Sequence, residues 1–370
     1  MALSDEEEKE NMMYGYFEDA ELEYVITNPK TPAKWINYVG DLSFGGFIDH
    51  TGGSCICLQD PALGRIVRYS TQGPASELRG ETLYLRITTQ DGAQDIYSPY
   101  YVPTLKSLDS FACRVGCGYN RYLAEYRGIR SDITVFIPRG STTLIRDIRI
   151  QNNGSLPVRI EVIPYVEYSH FDALKQITNG DWVPQTMQSR AETLNGITVL
   201  LQYAFMKKDT QVNYLTASIE ASSFESERRF FLGENGYGSY QHPLSLDREE
   251  LGNHEASCGD NIGALLFHLG VLNPGDEKRL ITQLGSIPSL HGGERQIDRY
   301  RDPFLVDEAF SDLKDFWKSY LSRLQVKTPD QTTNTMLNIH NPRQCYITKT
   351  WSRYLSLYQL GYRKDRGIGF

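Results

Sequence analysis

Several features that would place the chain in a familiar class are scarce or missing. No apolar run approaches the roughly eighteen residues that mark a membrane span, and the mean hydropathy is negative. The start, Met1-Ala2-Leu3-Ser4-Asp5-Glu6-Glu7-Glu8, is acidic where a secretion signal carries positive charge and then an apolar stretch. Together these predict a cytoplasmic protein with no membrane partner. Lys and Arg total 38 against 46 Asp and Glu, a net charge of −8, and no basic run is interleaved with stacking aromatics. A nucleic-acid partner would be repelled by that balance. A small anion such as phosphate would not, because one or two positioned arginines can hold it.

Cysteine is sparse: Cys55, Cys57, Cys113, Cys117, Cys258 and Cys345 in 370 residues. In a long chain without a secretion signal, these read as reduced, buried thiols rather than a disulfide framework. None has His or Cys partners at zinc spacing, so no metal and no cofactor is expected. Gly-x-Ser-x-Gly elbows, phosphate-cradling P-loops and His-Glu-x-x-His helices are missing too. The seven histidines show no ligand spacing. Carboxylates are numerous, and composition singles out no catalytic pair.

What is present is strand pattern. Leu83–Ile87, Asp132–Ile137 and Ile145–Ile150 are short and rich in β-branched and aromatic residues. In the last, Ile145, Asp147 and Arg149 fall on one side, and Arg146, Ile148 and Ile150 on the other. Asn152-Asn153-Gly154-Ser155 then leads into Val158–Ile163, which predicts a hairpin. A second pair, Gly263–His268 and Lys278–Thr282, is joined through Asn273-Pro274-Gly275-Asp276. Many short strands without interleaved helices predict a large antiparallel β-sandwich over residues 14–285, after an acidic tail at 1–13.

The period then changes to three and four. Phe310, Leu313, Phe316, Trp317, Tyr320, Leu321 and Leu324 mark one face of a helix over 307–324, between Pro303 and Pro329. Further helices are predicted at about 332–341 and 345–360. Residues 286–327 read as a linker with a helix, and 328–370 as the start of a helical domain. Two or three helices cannot bury their own apolar faces. The segment after about Lys327 is therefore expected to be poorly packed, and more protein is expected to follow.

One stretch suits ligand binding. Trp351-Ser352-Arg353 on a helix runs into Gly361-Tyr362-Arg363-Lys364-Asp365-Arg366-Gly367-Ile368-Gly369-Phe370, a glycine-punctuated basic loop. Its arginines could grip phosphate or sugar hydroxyls through paired hydrogen bonds. A solvated basic loop after a helix C-terminus is the plainer explanation.

At these residues the chain resembles glycoside hydrolase family 94, the inverting phosphorylases of β-linked disaccharides. Tyr14-Gly15-Tyr16-Phe17-Glu18-Asp19 and Trp35-Ile36-Asn37-Tyr38-Val39-Gly40 look like the start of such an enzyme. Cys113-Arg114-Val115-Gly116-Cys117-Gly118-Tyr119 is similar to the family's Cys-Arg-His-Gly-Leu-Gly-Tyr. The likeness runs from Tyr14 to Phe370. It implies a galactose-mutarotase-like supersandwich, a helical linker and the first helices of an incomplete (α/α)6 barrel. It also implies a homodimer in which the sandwich of one subunit borders the other's active site.

By resemblance, Arg353 binds phosphate, the co-substrate, and Arg366 holds the donor sugar, although their spacing is two residues longer here. Gln185 is similar to a family Gln that reaches the partner's site, with Thr186 where Arg often follows. Asp172–Gln176 and Trp182–Gln185 look more like laminaribiose-type than cellobiose-type members. The family's general-acid Asp follows later than any residue here. The resemblance thus implies an N-terminal fragment of a β-glucoside disaccharide phosphorylase, inactive alone, acting in the family on a β-linked disaccharide or glucose 1-phosphate. The alternative is a non-catalytic carbohydrate-binding or dimerisation sandwich, which would expose a row of Trp or Tyr. A complete enzyme with a site inside the sandwich finds no paired constellation in support.

Overall fold

The computed structural model describes residues 14–59, 61–70, 73–180, 182–205, 212–233 and 237–354. Three antiparallel sheets make up most of it. The largest has ten strands, running in space from Gly15–Glu18 through Ser110–Gly116, Ile129–Phe136, Thr143–Asn152 and Glu277–Ile287 to Met187–Leu194. A five-stranded sheet is centred on Val158–Glu167, flanked by Asn261–Leu272 and Glu81–Thr88. A three-stranded sheet comprises Ile36–Gly40, Phe44–Asp49 and Ser54–Leu58.

The alternation in Thr143–Asn152 decides how these layers meet. Ile148 and Ile150 join a buried core with Leu85 and Val162 of the five-stranded sheet and with Phe44 and Ile56 of the three-stranded one. Ile145, on the opposite face, packs with Phe136 and Ile281 beneath Val306, Leu313 and Trp317 of the helix Pro303–Leu321. Burying both faces explains why this strand carries isoleucine on each.

Neither predicted hairpin forms. Thr143–Asn152 pairs with Ile129–Phe136 and Glu277–Ile287, whereas Val158–Glu167 pairs with Asn261–Leu272 and Glu81–Thr88. Both turns therefore carry the chain from one sheet to the other. The two crossings lie side by side: Gly275 N–H donates to Asn152 O at 2.7 Å, and the Asn152 amide donates to Leu156 O and Leu272 O, each at 2.9 Å. Strands whose apolar faces must meet across a core cannot also share a ladder, and burial decides between the two.

Arg146 shares the core face with Ile148 and is paired there with Glu81 of the five-stranded sheet. Ser54 Oγ of the three-stranded sheet donates to the same carboxylate at 2.6 Å. One ion pair thus joins all three layers.

His50, fully buried, ties the end of the three-stranded sheet to the preceding loop. Its Nδ1 accepts from Trp35 N–H at 3.2 Å, so Nε2–H is the donor toward Thr31 Oγ1 at 3.0 Å and Pro29 O at 3.1 Å. This is the neutral tautomer, and burial pushes the imidazole pKa down despite nearby Asp49. A histidine whose folded pKa lies below its unfolded value contributes stability above the unfolded value, about 6.5, and loses it as pH falls below that. Urea midpoints should fall with pH below about 6.5, and His50→Gln should flatten that part of the profile.

Helix Pro303–Leu321 begins four residues before the predicted start at 307, with Asp302 as N-cap, its side chain accepting from Phe304 N–H at 2.9 Å. Pro303 lies inside the first turn rather than before the helix, where its missing N–H leaves no bond unmade. The two predicted C-terminal helices are one continuous run from Gln331, with π-helical turns at Met336–His340 and Thr348–Tyr354 flanking Asn341–Ile347. Pro342 sits in its middle, and the wide π turn before it takes up a residue with no N–H to give. This segment is not poorly packed as far as Trp351: Ile339, Ile347 and Trp351 are buried against the rest of the chain. The thiol expectation holds for Cys55, Cys57, Cys113 and Cys117, but Cys258 and Cys345 are exposed, each on a solvent-facing segment.

Candidate functional site

The last described helical turn, Thr348–Tyr354, carries Arg353. What seats the turn is Trp351, stacked on Tyr38 with ring centroids 5.4 Å apart and planes at 29°. A methyl group at Gly45 would lie 2.8 Å from the indole and 2.5 Å from Val39 O, so only glycine admits the ring. Further back along the run, Arg343 donates to Asn37 Oδ1. The Asn37 amide in turn donates to Gly116 O at 2.9 Å and Tyr119 O at 2.8 Å.

These carbonyls belong to the Cys113–Tyr119 segment, and its composition now has a physical account. Gly118 has a φ of +79°, and a Cβ there would stand 2.9 Å from Trp317 Nε1. Arg114 Nε donates to Glu23 at 2.6 Å, fixing the neighbouring strand. The segment is a socket for the helices, built at a hairpin of the ten-stranded sheet.

Between socket and helices lies a cavity of about 150 Å³, walled by Tyr38, Asp41, Arg139, Trp317, Tyr346 and Trp351, among others. The Arg139 guanidinium sits 4.2 Å over the Phe316 ring and 3.6 Å from Asp312. Asp41, the carboxylate on the wall, is spent on its own turn: Oδ1 accepts from the N–H groups of Ser43 at 2.8 Å and Phe44 at 3.3 Å. The cavity offers aromatic faces, a cation and one carboxylate whose Oδ1 is held by its own turn.

Several buried carboxylates elsewhere among the described residues are also held by partners. Glu23 serves Arg114 and Tyr119, Asp49 serves Thr51 and Gly53, and Glu161 serves Arg86. Two have histidine partners that sequence reasoning missed: Glu161 with His268 Nδ1 at 3.4 Å and Glu225 with His254 Nδ1 at 2.7 Å. Burial pushes the Glu225 carboxyl pKa up. Its other oxygen accepts from the N–H groups of Ser226 and Glu227, each at 3.0 Å. Held through both oxygens, the Glu225–His254 pair staples a loop to an edge strand.

Of the predicted site residues, Gln185 lies in the turn Val183–Thr186 and is exposed. The strand that follows is pinned beside Gly259 by Gln188 Nε2–H donating to Ser257 O at 2.9 Å. Arg353 is on the seated turn, and Arg366 lies outside the described residues. Among the described residues no hydrogen bond or ring contact joins Gln185 to the Thr348–Tyr354 turn. Arg343 and Asn37 also escaped prediction; the local sign was a buried polar residue inside the strand Ile36-Asn37-Tyr38-Val39.

The model described as "Glycosyl hydrolase 94, supersandwich domain" matches residues 22–303, and "Glycosyl hydrolase 94 superfamily, catalytic domain" matches 316–370. An N,N'-diacetylchitobiose phosphorylase of Vibrio furnissii is 30% identical over 361 residues, 97% of this chain and 44% of the relative. The Vibrio proteolyticus enzyme of the same name is 28% identical over 369 residues, covering 97% and 43%. A 3-O-beta-D-glucopyranosyl-beta-D-glucuronide phosphorylase of Paenibacillus borealis is 24% identical over 363 residues, covering 96% and 44%. The chain spans less than half the length of these curated relatives.

Proposed function

As the chain belongs to glycosyl hydrolase family 94, we propose that it supplies the supersandwich and the start of the catalytic domain of an inverting phosphorylase. The substrate would be a β-linked glucose disaccharide, split by inorganic phosphate into glucose 1-phosphate and glucose. The observation that carries this reading is the match over 97% of the chain to a disaccharide phosphorylase at 30% identity. In such a reaction phosphate attacks the anomeric carbon from the face opposite the leaving group. A single carboxylic acid then suffices, protonating the glycosidic oxygen.

In this reading Arg353 holds the phosphate, with Trp351 and Gly45 fixing the turn that presents it. Arg366 holds the donor sugar. Gln185, exposed, serves the active site of a second subunit in a cytoplasmic homodimer. No metal or organic cofactor is required, since phosphate is itself the nucleophile. The 370 residues would turn over no sugar by themselves, because the family's general-acid Asp follows later than any residue here.

A carbohydrate-binding sandwich has less support. Tyr84, Tyr97, Tyr100, Tyr122, Tyr165 and Tyr214 are fully buried, so these rings build the core rather than a sugar platform.

The test is a chimera in which this chain replaces the corresponding part of the Vibrio furnissii enzyme. It should carry out phosphorolysis, and Arg353→Ala should raise the KM for phosphate by about 10-fold or more, the loss of one charge-assisted contact, with the sugar KM little changed. A folded chimera without activity, or one indifferent to Arg353→Ala, would count against the reading.

A further inference from the structure

Between the sandwich edge and the three-stranded sheet lies a second cavity, of about 30 Å³, whose wall includes Leu58, Arg65, Phe171, Met187, Gln202 and Asn213. Its size is a few times the roughly 10–15 Å³ that one water needs, which excludes a sugar ring. Two buried polar atoms on this wall have no partner among the described residues: Gln202 Nε2 and Arg65 Nε. Gln202 is fully buried, and its Oε1 is already taken by the Asn213 amide at 2.7 Å, which leaves the amide N–H groups without an acceptor.

Both orphaned groups are donors, and one belongs to a permanent cation. No ion pair of Arg65 occurs among the described residues. Water placed here would accept from the two donors but must also give its own protons to acceptors. A spherical anion only accepts, and the guanidinium supplies the charge that offsets its desolvation. Apolar neighbours such as Leu58, Phe171 and Met187 suit a weakly hydrated ion of this kind.

The geometry points to a halide site, and we propose that this cavity binds one chloride ion between Arg65 and Gln202. The ion ties the segment after the three-stranded sheet to strand Ile197–Ala204, next to the strand that follows the Gln185 turn. It lies apart from the Arg353 turn and is independent of the phosphorylase reading.

The test compares thermal unfolding of the chain in sodium chloride, bromide, phosphate and gluconate at one ionic strength, with a crystal soaked in bromide. The Tm should rise saturably with chloride and bromide by several degrees over gluconate, and bromide should give an anomalous peak within hydrogen-bonding reach of Arg65 and Gln202. Gln202→Glu is near-isosteric and pairs with Arg65 directly. It should abolish the halide response while keeping the gluconate Tm at or above that of the parent. Arg65→Gln should abolish the response as well. The proposal is overturned by equal responses in parent and variants, by a larger phosphate than chloride response, or by water or a direct Arg65–Gln202 contact where bromide is expected.

Discussion

Glu81→Ala is expected to lower the unfolding free energy by about 3–5 kcal/mol, the cost of leaving a buried charge without its counter-charge. Arg146 is 4% exposed and Glu81 1% exposed, and they face each other across the core between the ten- and five-stranded sheets. Without the carboxylate, the guanidinium keeps its desolvation penalty, and Ser54 Oγ–H loses its acceptor too. The pair as a whole adds much less than this. Replacing both with methionine should be close to neutral, because apolar side chains of similar volume remove the penalty together with the attraction. Urea denaturation of Glu81→Ala and of the double methionine variant measures this directly. A Glu81→Ala chain within about 1 kcal/mol of the parent, an ordinary surface effect, would mean that the pair does not join the sheets.

Trp317→Ala is expected to cost about 3–5 kcal/mol, the range for removing a buried aromatic side chain. Its ring closes the socket over Gly118 and meets Tyr346 edge-on at 4.9 Å, so it supports the C-terminal helical run as well as its own helix. Phe304 on the same helix is 72% exposed, and Phe304→Ala serves as a control that should change stability by about 0.5 kcal/mol or less. The Trp317 loss should come with faster proteolysis between Thr328 and Trp351, because Ile339 and Tyr346 then lose the surface they are packed against. Near-ultraviolet circular dichroism and limited proteolysis would show whether helices and sandwich separate.

These expectations rest on contacts that were legible in the sequence to different degrees. The two-faced pattern of Ile145–Ile150 showed a strand, and the 3–4 spacing from Phe310 to Leu321 showed a helix, because each pattern is local. The partner of each strand was not local. Asn152–Ser155 and Asn273–Asp276 have the chemistry of hairpin turns, and the same residues equally well turn a chain between sheets. The choice depends on strands far away, such as Glu277–Ile287 closing on Thr143–Asn152. The helices predicted at about 332–341 and 345–360 stood apart, because the pattern did not reveal the π turn that carries the run through Pro342.

The candidate site divides along the same line. Arg353 and Gln185 stood out through family resemblance, which transfers roles without geometry. The contact that anchors the helical run before the Arg353 turn, Arg343 on Asn37, spans 306 positions, and no window along the chain could show it. The roles of Gly45 and Gly118 were hidden as well. A glycine in sequence says that backbone freedom or space is needed, but only the fold shows that Trp351 and Trp317 fill that space.

The most direct test of the account is phosphorolysis by the purified 370-residue chain, supplied with phosphate and cellobiose, laminaribiose or N,N'-diacetylchitobiose, and in reverse with glucose 1-phosphate and glucose. The account predicts no turnover above the blank in either direction from a chain that is folded by circular dichroism. Turnover that Arg353→Ala abolishes would contradict it, because a complete site with its own proton donor would then exist within these residues.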